Sequence, residues 1–223
     1  MKPVFLSIET PIASFRMPYA REFAESYEIP PPATVYGMLL SLVGEENRYK
    51  HIGVRIAIAR PDEYPKPERS VVLRTFRRVK KKPISDPTNA RPDFQEVLTG
   101  IYLGVWVDSS NEANKELRLT ERLIAAFTHP QEVNRFGGLS LGESRDLIDS
   151  VSLLIDFPNE PNNPFRFGAA CHWLMRKEYG SLTMPYWVDH VGSIKTLWES
   201  YQLVSGSIEK PHNEYWTEIK NNR

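Results

Sequence analysis

Cysteine is almost absent from this chain: Cys171 is the only one in 223 residues. A single thiol cannot close an internal disulfide, so nothing in the sequence marks an oxidising compartment. It is also too isolated to begin a zinc site. The five histidines (His51, His129, His172, His190 and His212) include no pair at metal-ligand spacing, so no metal and no cofactor is expected. Long apolar runs are missing too. The longest, around Val35 to Val43, is about half of the roughly 20 residues that a spanning helix needs. Met1 to Glu9 lack the charged-then-apolar layout of a signal peptide. A soluble cytoplasmic protein with no membrane partner is expected. Clustered carboxylates, internal repeats and low-complexity tracts are all lacking.

Net charge is lacking as well, with 28 basic and 28 acidic residues. Its distribution is uneven. Lys66 to Arg91 holds nine basic residues against Glu68 and Asp86, which makes that segment +7 and the remainder −7. Such a split sets a local positive field on a neutral protein. Apolar residues at 41% and charged residues at 25% fit one globular domain, or one domain with a small appendage.

The chain opens on an alternating strand, residues 3–9, with Val4, Leu6 and Ile8 on one side. A polar loop from Thr10 to Pro32 carries Phe15, Arg16, Tyr19 and Arg21. Thr34 reads as an N-cap for a short buried helix over Val35 to Val43, stopped by Gly44. Gly37 inside it costs about 1 kcal/mol of propensity and implies close approach of another backbone. Val54 to Ala59 is a second strand. Residues 69–80 and 94–107 form two long arms around a turn-rich tip at Pro83 to Pro92. Ser109 to Glu112 fits a capping box for a helix reaching Phe127. A glycine loop, Gly137-Gly138-Leu139-Ser140-Leu141-Gly142, and a strand from Leu147 to Ile155 follow. Strand, helix, strand, hairpin-fed strand, helix, strand is a split βαβ plan: an α+β, ferredoxin-like domain over 1–156 with an enlarged hairpin. Residues 157–223 hold four of the five tryptophans and read as a small C-terminal satellite domain.

The chemistry concentrates in Arg74-Thr75-Phe76-Arg77-Arg78-Val79-Lys80-Lys81-Lys82. On a strand these residues alternate between faces, so the ribbon is basic on both. A phosphate backbone lying along it would relieve the repulsion and release counterions, and Phe76 offers a base a surface to stack on. The bland alternative is a solvated, charge-protected edge hairpin. The glycine loop could form an anion nest or simply a tight helix-to-strand turn; Glu143 stands where a P-loop needs lysine. Arg16 and Tyr19 could pair and stack with single-stranded RNA. Tyr49-Lys50-His51 has the residue types of a metal-independent ribonuclease, but adjacent side chains point apart.

Three segments together resemble the fifth Cas protein family: Phe15-Arg16-Met17-Pro18; Pro31-Pro32-Ala33-Thr34-Val35-Tyr36-Gly37-Met38-Leu39-Leu40 with Gly44-Glu45; and Leu139-Ser140-Leu141-Gly142-Glu143-Ser144. The resemblance covers about residues 1–155 and is nearest to I-B-like variants. It implies an RRM-like fold of the RAMP superfamily with a thumb hairpin, here about 69–100. It further implies a Cascade subunit that binds the 5′ handle of crRNA next to the repeating backbone subunit and the large subunit, meeting target DNA through the complex. Carried onto this chain, Arg16, Tyr19, Tyr36, Gly137, Gly138 and Ser140 would grip the handle. Arg74, Phe76, Arg77, Arg78, Lys80, Lys81 and Lys82 would sit on the thumb. One branch of the family is an endoribonuclease that processes precursor crRNA with tyrosine, lysine and histidine. The return arm here, Pro92 to Gly104, has no lysine or histidine, so a non-catalytic subunit is expected.

Overall fold

The structure is a computed structural model describing residues 2–19, 22–77, 82–114, 116–154, 163–189 and 195–221. In chain order the strands are β1 (Val4–Ala13), β2 (Phe23–Ala24), β3 (Arg55–Pro61), β4 (Glu68–Arg77), β5 (Ala90–Asp108), β6 (Ser150–Leu154), β7 (Ala170–Arg176), β8 (Leu182–Val188), β9 (Thr196–Ser207) and β10 (Thr217–Glu218). Two α-helices accompany them, α1 (Pro32–Leu42) and α2 (Leu119–Thr128). The result is a mixed α/β protein around a mostly antiparallel sheet.

Strand order along the sheet is β6-β1-β5-β3-β7-β9-β8. Helix α1 connects β1 to β3, and α2 connects β5 to β6, so each helix spans a crossover between non-adjacent strands. The 19-residue β5 is the axis of the molecule. Its C-terminal half lies between β1 and β3, with Leu103 opposite Ile8 and Val105 opposite both Leu6 and Ile58. Its N-terminal half stays beside β1 as far as Leu98 opposite Ala13 and takes β4 on its other edge, from Thr99 opposite Glu68 to Ala90 opposite Arg77. Gly100, at φ 72°, lies between the stretch of β5 that pairs β3 and the stretch that pairs β4. By register it faces Pro11, which has no N–H to give the ladder.

Both faces of the sheet are covered. Val4, Leu6, Ile8, Ile56, Ile58, Leu103, Val105 and Val107 pack with α1 and α2. The opposite face carries Phe5, Trp106, Phe165, Trp173 and Trp216. There the rings of Phe5 and Trp106 lie 4.5 Å apart and those of Trp106 and Trp173 4.6 Å apart. These interlocked aromatics cover the centre of that face among the described residues. Strand β7 pairs directly with β3 through Ala59–Trp173, so β7, β9 and β8 continue the same sheet. The expected boundary at 156/157 lies outside the described residues.

Several local expectations shift. Strand β1 runs on to Ala13, because Pro11 lies beyond the stretch that pairs β6 on its other edge. Helix α1 begins at Pro32 rather than after Thr34, and Pro31 precedes it without a side-chain cap. The fixed φ of Pro32 suits the first helical position, so no hydroxyl is needed there. Ser109 and Glu112 do cap a helix, but one that starts seven residues later. Ser109 Oγ accepts from Thr120 N at 3.1 Å, and Glu112 Oε1 accepts from Leu119 N at 3.0 Å. A Cβ on Gly37 would meet only the side-chain Nη1 of Arg48, at 3.4 Å, rather than another backbone.

Candidate nucleic-acid interface

The β4/β5 hairpin projects with most of β4 exposed. Alternation along β4 puts Arg74 and Phe76 on one face and Arg77 on the other. The ribbon is less repulsive than its sequence implies, because carboxylates meet several of its cations. Lys66 Nζ lies 3.0 Å from Glu28, Arg69 Nη1 2.7 Å from Glu96, and Arg91 Nη2 2.8 Å from Glu22. Arg74 donates to Gln95 and, at 3.3 Å, to Glu143, while its Cζ stands 5.8 Å from the Phe76 ring centroid. Arg74 is thus spent on joining the hairpin to the loop after α2. Among the described residues at the distal end, Arg77 and Lys82 meet only neutral acceptors, the Ile84 carbonyl and, at 2.8 Å, Thr88 Oγ1. Arg78, Lys80 and Lys81 lie outside the described residues.

The loop after β1 returns against this hairpin. Arg16 bridges to Ser26, β2 pairs with β5 at Phe23–Phe94, and Phe94 N donates to the Glu22 carbonyl at 3.1 Å. An open cleft of about 930 Å³ results, lined by Arg16, Phe76, Arg77 and Arg91, with Glu22 and Asp93 among its walls. Arg16 and Arg77, 61 positions apart in sequence, are brought together there. Tyr19 stands 85% exposed on the same loop. Phe15, the other aromatic of that loop, belongs to the core.

The glycine loop is organised by a residue that nothing in the sequence singles out. Buried Asp146 accepts from Ser14 N at 3.0 Å and from Glu143 N at 2.9 Å, which ties the loop to the end of β1. Gly142, at φ 117°, would place a Cβ 2.7 Å from Asp146 Oδ2. Gly137 and Gly138 are exposed and Ser140 is half-buried. Phe136, 98% exposed beside Gly137, displays a full ring face of the kind a base can stack on, and no motif in the sequence marks it. An aromatic next to two glycines, outside any apolar periodicity, was the available signal.

Tyr36 is placed otherwise than expected. It is fully buried, and its hydroxyl donates to the Arg48 carbonyl at 2.6 Å. Burial pushes its phenol far above the ordinary 10, so it acts as a neutral core residue with no surface to offer RNA. Tyr49, Lys50 and His51 diverge. Tyr49 donates to Asp189 at 2.9 Å, Lys50 pairs with Glu45 at 2.7 Å, and buried His51 lies 3.1 Å from Glu112 and 3.2 Å from Arg122. Burial also raises the Cys171 thiol to about 12, which leaves it protonated. Asp62, His172 and Ser205 form a hydrogen-bonded chain at 2.7 and 3.2 Å across the ends of β3, β7 and β9, the residue types of a hydrolytic relay. All three sit in or beside neighbouring strands, Asp62 and Ser205 exposed and His172 half-buried, and serve as cross-strand links. No cluster suited to a metal ion, and no helix long and apolar enough to cross a membrane, occurs among the described residues.

Comparison with known proteins places this geometry in a family. The family profile described as "CRISPR-associated protein (Cas_Cas5)" matches residues 4–134, which span β1 through α2 and the whole hairpin. The chain belongs to the Cas5 family. It is 40% identical over 202 residues to CRISPR-associated protein Cas5 of Myxococcus xanthus (strain DK1622), covering 90% of this chain and 89% of that one. Its fold matches a chain of a "CRISPR RNA-guided surveillance complex" with TM-score 0.63 at 12% identity, over 96% of both chains. A "Crystal structure of Cas protein" matches with TM-score 0.52 at 13% identity, over 93% and 95%.

Proposed function

We propose that this chain is a non-catalytic subunit of a CRISPR ribonucleoprotein complex of the Cascade kind, binding the 5′ handle of the guide RNA. It caps the filament of the repeating backbone subunit beside the large subunit, meets target DNA only through the complex, and works in the cytoplasm. One observation carries the reading: Arg16 from the first loop and Phe76 and Arg77 from the hairpin line a single cleft. Two guanidinium groups and an aromatic ring in one open groove suit a single strand, whose phosphates and bases need those two surfaces. Family membership agrees with it, as does the fold shared with a chain of an RNA-guided surveillance complex.

The core reads as ferredoxin-like and RRM-like, supported by the order β6-β1-β5-β3 with α1 and α2 at the crossovers. Because aromatics fill the face opposite the helices, RNA is held at the hairpin and loops rather than on the sheet. The small C-terminal unit, 157–223, adds β7 to β9 at the β3 edge. Absence of cutting is supported by the divergence of Tyr49, Lys50 and His51, the last fully buried.

The test incubates the purified chain with repeat-derived precursor RNA in EDTA and measures both cleavage and binding. Uncut RNA, retained by its 5′ handle and lost when the handle is deleted, is the expected result. Site-specific cleavage would instead establish the processing endoribonuclease.

A further inference from the structure

Strand β4 is a bare edge. It pairs β5 along one side, and no strand among the described residues takes the other. Its ladder runs unbroken from Glu68 to Arg77, with no proline and no bulge in β4. The strand at one end of the main sheet, β8, is guarded instead: Pro185 stands within it and its register slips between Pro185 and Trp187. Along β4, Val71, Val72 and Leu73 are between 40% and 60% exposed.

Neighbouring contacts fix where the free main-chain groups of β4 point. Phe94, opposite Leu73, sends its N–H the other way, to the Glu22 carbonyl at 3.1 Å. Thr99 Oγ1 donates to the Glu68 carbonyl at 3.3 Å, so that carbonyl faces β5. Alternation from both ends agrees: Arg69, Val71, Leu73 and Thr75 turn their N–H and C=O groups away from β5. On one face Leu73, Phe94 and Phe23 stand exposed in a row across β4, β5 and β2. Unpaired main chain beside exposed apolar side chains is the surface that a further strand covers.

The strand that fits is β4 itself. Around a two-fold axis perpendicular to the ribbon, an antiparallel copy pairs residues of the same face. Centred on Leu73, the ladder sets Arg69 opposite Arg77, and like charges repel. Centred on Val71, it sets Thr75 opposite Pro67, which has no N–H to give. Centred on Val72, it sets Val71 opposite Leu73 and Arg69 opposite Thr75, twice each, with no like charges opposed within β4. Those pairs exchange about eight main-chain hydrogen bonds. The row Phe23, Phe94, Leu73 then continues onto Val71 of the second copy. Glu68 comes diagonal to Arg74 of that copy, a carboxylate beside a cation. A two-stranded ribbon, marginal alone, becomes half of a four-stranded one.

We propose that a second copy of this chain covers β4 in the RNA-free protein, antiparallel and centred on Val72. The inference does not depend on the RNA-binding reading.

Sedimentation velocity on the nuclease-treated full chain is the first measurement. A reversible rise from the mass of one chain toward that of two is expected. A single-chain mass up to about 1 mM, the weak end of specific association, would overturn the proposal. Val72→Lys sets two ammonium groups at the axis and should weaken dimerisation roughly ten-fold. Unchanged dimerisation in that variant would put the contact elsewhere and overturn it too. The second measurement reads the register without a disruptive change. Under oxidised glutathione, Val72→Cys should form a disulfide-linked dimer, because Val72 meets its own copy in a closely spaced, non-hydrogen-bonded pair. Leu73→Cys, opposite Val71, should crosslink far more slowly, and Cys171 is buried. Leu73→Cys crosslinking as fast as Val72→Cys, or no crosslink in either variant, would overturn the pairing.

Discussion

Gln95 donates from Nε2 to Glu143 Oε1 across 2.8 Å, joining the hairpin to the loop that follows α2. Both partners hold further cations. Arg145 Nη2 donates to Gln95 Oε1 at 2.9 Å, and Arg145 Nε lies 3.1 Å from Glu143 Oε2. Arg74 reaches both residues. A projecting two-stranded ribbon is marginal alone, so its angle to the body depends on this knot at its root.

Gln95→Ala should therefore loosen the hairpin. Gln95 is buried, and its loss strands the hydrogen-bonding groups of Arg74, Arg145 and Glu143 at a cost of about 1–3 kcal/mol. Hydrogen exchange checks this. Amides of β4 and the distal half of β5 should exchange faster while those of β1 and β3 keep wild-type protection.

Arg74 and Arg77 should separate structure from binding. Arg77→Glu is expected to leave the melting temperature unchanged and weaken RNA binding, because its guanidinium stands exposed in the cleft. Arg74→Ala should lower the melting temperature, because it leaves Glu143 and Gln95 short of a donor. Thermal melts paired with binding isotherms distinguish the two.

Phe136→Ala removes a fully displayed ring that packs on no part of the core. Stability should stay within about 0.5 kcal/mol of wild type, while RNA affinity falls by the equivalent of about 1–3 kcal/mol, one stacked base. Fluorescence anisotropy with a labelled handle measures the difference.

Glu45 carries a pH signature. Burial alone would raise its carboxyl, but hydrogen bonds from Lys50, the Asn47 amide and Arg122 outweigh that and bring it from 4.5 to about 2. A depressed carboxylate stabilises the fold fully above its unfolded value and loses that contribution as pH falls toward the folded one. Glu45→Gln should thus melt below wild type at pH 7, with the gap closing between about pH 4.5 and 2. Parallel melts across that range decide it.

Much of the fold is legible in the sequence because its signals are local. Alternation in Val4, Leu6 and Ile8 and in Ile101, Leu103 and Val105 marks the central strands, and Asp86-Pro87 marks the hairpin tip. Tyr36 misleads because a tyrosine in a conspicuous Thr-Val-Tyr-Gly stretch looks functional, whereas only the tertiary packing puts Trp187 and Arg48 around it. Asp146, Gln95 and Glu143 are invisible for the same reason: Asp146 is tied to Ser14, 132 positions away, and Gln95 to Glu143, 48 positions away. The basic ribbon looks unpaired in sequence since its carboxylate partners Glu22, Glu28 and Glu143 come from distant segments. The strands of the C-terminal region escape assignment because both of their faces are apolar in part, which erases the alternation.

The most direct measurement places a 4-thiouridine photocrosslinker in the 5′ handle of the guide RNA and maps the adducts by mass spectrometry. The account predicts crosslinks in the cleft and loops that carry Arg16, Phe76, Arg77 and Phe136. Adducts confined to β7, β8 and β9, with the cleft untouched, would contradict it.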